Sequence, residues 1–173
     1  APRTLIVGAT ALTVVIGVMI AADGRNNVPE GSDLVRLSSI EFTDINGQGA
    51  SLSKYDGRPL VINAWAVWCP FCRNELPDFA TLQEEFPEIT VIAIDRAEGP
   101  ATVKAYLDEI AVVDRMTFLL DPGDAFYKSI GGFSMPETIF VDESGAIVFH
   151  KRGPLTLDEM RVAVRQHLGP VRK

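Results

Sequence analysis

Cysteine and histidine are nearly absent: the 173-residue chain carries two of each. Both cysteines fall in one motif, Cys69-Pro70-Phe71-Cys72, so none is left for structural bridges elsewhere. A structural zinc site takes four nitrogen or sulfur ligands, and His150 and His167 stand far from the motif without ligand spacing. Zinc is therefore a poor reading of the pair, and a purely structural disulfide is the other plain alternative. Basic residues are also scarce, 16 Lys and Arg against 23 Asp and Glu, giving a formal net charge of −7. That balance argues against a nucleic-acid partner. No internal repeat or low-complexity tract appears.

One long run lacks charge altogether, Thr4–Ala22 between Arg3 and Asp23. At about 1.5 Å per residue it just spans a hydrocarbon core. A cleavable signal peptide is the rival, but Ile20-Ala21-Ala22 is a weak cleavage site. The expectation is an uncleaved membrane anchor over residues 1–22 and a polar, Gly/Asn/Pro-containing linker over 23–34. A single domain then occupies 35–173.

The chemistry gathers in Leu60–Phe79. Leu60 to Trp68 is apolar except for Asn63, the pattern of a strand buried on both faces. Beyond the cysteines the spacing turns helical, with Cys72, Leu76, Phe79, Ala80, Gln83 and Phe86 recurring on one face. Pro70 suits the first helical position, where its missing N–H has no intrahelical partner. Cys69 then falls at the N-cap, beside unpaired N–H groups and the positive end of the helix dipole. That setting favours thiolate and makes Cys69 the nucleophile. Cys72, inside the first turn, is placed to resolve a mixed disulfide formed at Cys69. Glu75 lies a further turn along the same face and is a candidate base for the Cys72 proton. A solvated helix glutamate is the plain alternative.

Elsewhere the pattern alternates. Leu34–Ile45 and Ala50–Leu52 flank Asn46-Gly47 as a hairpin. Ile89–Asp95 reads as a buried strand. Pro100–Ile110 reads as a helix with Ala101, Ala105 and Leu107 as its apolar positions, and Thr117–Leu120 as a strand. A helix over Ala125–Ile130 is followed by a second hairpin, Thr138–Val141 with Ala146–His150. Leu157–Leu168 closes the chain as a helix burying Leu157, Met160, Val164 and Leu168. Such alternation gives an α/β sheet covered on both faces. Trp65 reads as core, and Trp68, next to the nucleophile, as an active-site surface residue.

Trp68-Cys69-Pro70-Phe71-Cys72 after an apolar strand resembles the thioredoxin superfamily. The longer string Val-Ile-Asn-Ala-Trp-Ala-Val-Trp-Cys-x-x-Cys-Arg-x-Glu-Leu-Pro is similar to its membrane-anchored TlpA/ResA/DsbE-like branch. The resemblance implies a thioredoxin-like fold with an N-terminal hairpin and a strand–helix insert across Arg96–Asp121. It implies a cis Met135–Pro136 bond, with Pro136 facing the Cys69 sulfur and Met135 offering backbone groups to an extended substrate. Trp68, Pro70, Phe71, Met135, Pro136 and Glu137 would line the substrate groove. Asn63 stands where similar thioredoxins carry a buried Asp, which favours Glu75 as the working carboxylate. Pro136-Glu137-Thr138 is similar to DsbE-like reductases of cytochrome c maturation, where the acidic residue lines the groove near the thiols.

The implied function is an extracytoplasmic, membrane-tethered protein disulfide reductase, with the Cys69–Cys72 pair as its redox group and no separate cofactor. Its implied partners are a disulfide-bearing protein such as an apocytochrome c, and a membrane thiol transporter as electron donor. Rival readings are a TlpA-like reductant for copper-site cysteines of an oxidase, an oxidant that introduces disulfides, and a non-catalytic docking module. The intact second cysteine argues against the last.

Overall fold

A computed structural model describes residues 33–169. The expected anchor and most of the expected linker lie outside these residues. Among the described residues, no helix is long and apolar enough to cross a membrane.

Seven strands form one mixed sheet. They are β1 (Phe42–Asp44), β2 (Gly49–Ala50), β3 (Leu60–Trp65), β4 (Thr90–Arg96), β5 (Thr117–Asp121), β6 (Glu137–Val141) and β7 (Ile147–Arg152), ordered β2-β1-β5-β4-β3-β6-β7. β3, β4 and β5 run parallel, and the remaining pairings are antiparallel. The sheet continues through the Arg96–Asp121 segment, whose helix α3 (Pro100–Glu109) returns the chain to β5. β3 lies inside the sheet and every one of its residues is buried, as its apolar run requires.

Period-two alternation sorts the interior into two faces. Leu60, Ile62, Ala64, Ile92, Ile94, Ile139 and Val141 pack with α1 (Asp33–Ser38), the 3₁₀ turn Leu52–Tyr55, and α4 (Ala125–Ser129). Val61, Trp65, Val91, Ala93 and Phe140 face the other way, beneath α2 (Pro70–Glu85), α3 and α5 (Leu157–Ala163). The thiols therefore belong to the α2 face.

Five expectations are corrected. Leu34–Ile45 is not one strand: its first half is helix α1, with Leu34 and Leu37 fully buried one turn apart. So short a helix depends on tertiary contacts. Here the Leu34 N–H donates to the Gly145 carbonyl at 2.8 Å, and Asp33 accepts the Ile147 N–H at 3.1 Å. Asp33 and Leu34, read as linker, are thus part of the packed domain. β3 ends at Trp65 rather than Trp68, because Ala66–Trp68 turns out of the ladder and the Cys69 N–H closes back on the Ala66 carbonyl. In α3 the buried positions are Val103, Tyr106 and Leu107, with Ala101 and Ala105 exposed. The last helix is α-helical only to Ala163, continues as a π turn over Val164–Leu168, and leaves Leu157 and Leu168 half-buried. Its start is fixed by a capping box between Thr156 and Glu159.

Candidate active site

Cys69 is the N-cap of α2 and Pro70 its first residue, as the sequence implies. The Cys72 N–H points at the Cys69 sulfur, 3.2 Å away, so the helix end offers a donor to the atom that must carry negative charge. The two sulfurs are joined in a disulfide. Cys69 retains only 3% of its surface and Cys72 none. Around them, Trp68 and Phe71 are more than half exposed, whereas Trp65 is fully buried against Tyr106 and Phe118.

Pro77 lies inside α2 and cannot bond the carbonyl of Arg73. The Tyr106 Oη of α3 comes to 3.5 Å from that carbonyl, and the Arg73 guanidinium lies over the Tyr106 ring. α3 thereby supports the turn of α2 just past Cys72.

Glu75 is 97% buried one turn beyond Cys72. Its Oε1 accepts from Asn63 Nδ2 at 2.8 Å, and its Oε2 from the Leu155 N–H at 3.1 Å. Asn63 Nδ2 also donates to Thr138 Oγ1 at 3.0 Å, tying β3 to β6. Burial pushes the Glu75 carboxyl up to about 8, outweighing the bonds from Leu155 and Asn63 that favour its charged form. A carboxyl in that range is a stronger base than an ordinary glutamate and suits the removal of a thiol proton.

A carboxyl pair, not anticipated from the sequence, borders the turn. Asp95 pairs with Trp65 in the β3–β4 register and is fully buried on the thiol face of the sheet. Its Oδ1 accepts the Glu98 N–H at 3.0 Å, while Glu98 Oε2 accepts the Val67 N–H at 2.5 Å. Burial, then the Glu98 side chain, pushes Asp95 up to about 8. Its signal was its place at the carboxyl end of a strand parallel to β3, where sites gather in such sheets.

The Met135–Pro136 bond is cis, as the resemblance implies. Met135 packs against the cluster that contains Cys69 and Cys72. Glu137 is different: it does not line a groove. It is fully buried on the face shared with Ala64 and Ile139, opposite Asn63 and Glu75. Its Oε1 accepts the Phe133 and Ser134 N–H groups, each at 2.8 Å, and its Oε2 lies 2.7 Å from His150 Nε2. Burial works to raise this carboxyl, but those bonds together hold it below the usual carboxylate range. The expectation that Glu137 stands beside the thiols is therefore corrected. Strand alternation turns it away from them.

The chain is similar to known proteins. Residues 25–164 match the Redoxin family. The chain is 24% identical over 120 residues to the thiol-disulfide oxidoreductase ResA of Bacillus thuringiensis subsp. konkukian, covering 68% of each chain. It is 33% identical over 104 residues to the thiol:disulfide interchange protein HelX of Rhodobacter capsulatus, covering 60% of this chain and 57% of that one. A secreted Mycobacterium tuberculosis disulfide oxidoreductase homologous to E. coli DsbE has the same fold, with a TM-score of 0.67 at 20% identity. That match covers 75% of this chain and 96% of the other. A capped Cys-x-x-Cys helix beside a cis-proline strand, together with a family match over most of its length, shows that the chain belongs to the redoxin family of the thioredoxin superfamily, with ResA/DsbE-like thiol–disulfide oxidoreductases as its relatives.

Proposed function

We propose that this thiol–disulfide oxidoreductase works as a reductase of protein disulfides outside the cytoplasm, tethered by Thr4–Ala22. In the reduced enzyme, Cys69 thiolate attacks a substrate disulfide. One substrate sulfur leaves as thiolate and a mixed disulfide forms. Glu75 in its ionised form takes the proton from Cys72, whose thiolate then attacks the Cys69 sulfur. The second substrate sulfur leaves, and the Cys69–Cys72 disulfide closes with two electrons passed to the substrate. A membrane thiol transporter returns the enzyme to its dithiol.

The carrying observation is Glu75, buried one turn past Cys72 and bonded by Asn63 and Leu155. A docking module needs neither a second thiol nor a buried proton acceptor beside it. The substrate we favour is the Cys-x-x-Cys of an apocytochrome c. Support comes from the resemblance of Pro136-Glu137-Thr138 to the DsbE-like reductases. Insulin reduction tests the activity: wild type precipitates insulin chains in the presence of dithiothreitol, and Cys69→Ser does not. Equal rates for both would defeat the proposal. Reduction of a Cys-x-x-Cys-His peptide disulfide in preference to insulin tests the substrate.

A further inference from the structure

The segment leading into the cis bond is clamped from two sides. From β6, Glu137 takes the Phe133 and Ser134 N–H groups and the Ser134 hydroxyl, the last at 3.2 Å. His150 and Arg152 of β7 hold its other oxygen, at 2.7 and 3.8 Å. From α4, Tyr127 Oη donates to the Ser134 carbonyl at 2.7 Å. The Tyr127 ring lies against Gly132 so closely that a Cβ there would clash with it. Arg96 covers that ring at 3.4 Å while its guanidinium bonds both Asp124 oxygens.

This is heavy support for a loop that contributes little to the core. Phe133 keeps 77% of its surface exposed, the most of any large apolar residue among those described. The Arg152 guanidinium stands 4.9 Å from its ring centre. Two residues on, Met135 touches the cluster that holds both cysteines. The clamp consumes the polar backbone groups of Ser134 and leaves an exposed phenyl ring on a fixed base, two residues from the Met135 that packs on the cysteine cluster. A loop already ordered loses no further freedom when a partner docks on it.

We infer that Glu137 is a positioning residue for polypeptide substrates. It holds Phe133–Met135 in the shape that receives the chain flanking the substrate's disulfide, with the Phe133 ring as the apolar contact. Glu137 acts through this loop and not on the thiols, from which the sheet separates it. The inference rests on the disulfide-reductase reading above and adds a determinant of specificity: the enzyme distinguishes a disulfide within a polypeptide from a small free one.

The test uses pre-reduced enzyme in single-turnover reactions with insulin and with glutathione disulfide. Glu137→Ala is expected to raise the half-saturating insulin concentration about tenfold with little change in the plateau rate. The preference for insulin over glutathione disulfide falls about as much. Glu137→Gln, which keeps an oxygen for the loop, is expected to recover most of that loss. Equal losses on both substrates, or a fall confined to the plateau rate, would overturn the inference. If Glu137→Ala does not fold, Phe133→Ala decides, since that side chain is exposed: a lowered insulin preference supports the docking role and an unchanged one refutes it. A wild type that reduces neither substrate would remove the reductase reading itself, and the inference with it.

Discussion

Asn63 Nδ2 lies 2.8 Å from Glu75 Oε1, joining the centre of β3 to the helix that carries both cysteines. The contact places a neutral amide where similar thioredoxins have a buried carboxylate, and brings the carboxylate in from α2. The titratable group that one strand would otherwise carry alone thus comes from the helix, one turn past the resolving thiol. The same amide reaches Thr138 of β6, two residues after the cis proline.

If Glu75 removes the Cys72 proton, Glu75→Gln should spare the attack by Cys69 and slow the second step. General-base assistance is worth about 10²-fold or more. Acid-quenched mass spectrometry of the reaction with a disulfide peptide should show the Cys69 mixed disulfide accumulating. Wild-type decay of that adduct in the Gln variant would remove Glu75 from the mechanism.

Glu75 and Asp95 also set the pH dependence of stability. Both carboxyls are pushed up to about 8 from ordinary values of 4.5 and 3.8, so the folded oxidised protein holds two protons that the unfolded chain has lost between those limits. Stability is therefore greatest near the lower end and falls as pH rises towards 8, by at most about 1.4 kcal/mol per pH unit per group. Below that window the depressed carboxyl of Glu137 works in the opposite sense, its contribution being lost as acid protonates it. Urea midpoints of the oxidised protein should be higher at pH 5 than at pH 8, and Glu75→Gln should flatten the difference. A midpoint that rises across this range would show that neither carboxyl is protonated in the fold.

Cys69 at the N-cap should be the first thiol alkylated after reduction. Iodoacetamide labelling across pH, read by peptide mass spectrometry, is expected to modify Cys69 at lower pH than Cys72, which is wholly buried. Faster labelling of Cys72 would reverse the assigned roles.

Helix α1 belongs to the folding unit, and Leu34→Ala tests this. A fully buried leucine truncated to alanine costs about 2–5 kcal/mol. A shift in urea midpoint corresponding to less than about 0.5 kcal/mol, the range of ordinary surface substitutions, would mean that α1 is an ornament.

The active-site corner was legible because its signals are local. An apolar run, a proline at N1 and a cysteine before it specify strand, turn and capped helix without any distant contact. Asn46-Gly47 likewise announces its turn, with Gly47 at φ +79°. Helix α1 is ambiguous in sequence because Leu34 and Leu37 fit either a strand or a single turn, and only docking on Gly145 and Ile147 decides. The same non-locality hid the orientation of Glu137. Its proximity to Pro136 suggests the groove, but its side follows from register with Ala64, which sequence adjacency does not reveal. The Asp95–Glu98 pair depends on β4 lying beside β3, again a property of the assembled sheet.

A dithiol that gives electrons to protein disulfides must have a low reduction potential, and that potential can be measured. Cys72 is buried among apolar side chains, which disfavours thiolate, and Glu75 beside it adds no positive charge. The helix end at Cys69 works the other way but stabilises one sulfur only. Equilibration with glutathione or dithiothreitol buffers should give a value nearer that of thioredoxin, about −270 mV, than that of DsbA, about −120 mV. A potential near the DsbA value would contradict the claim and make the protein an oxidant.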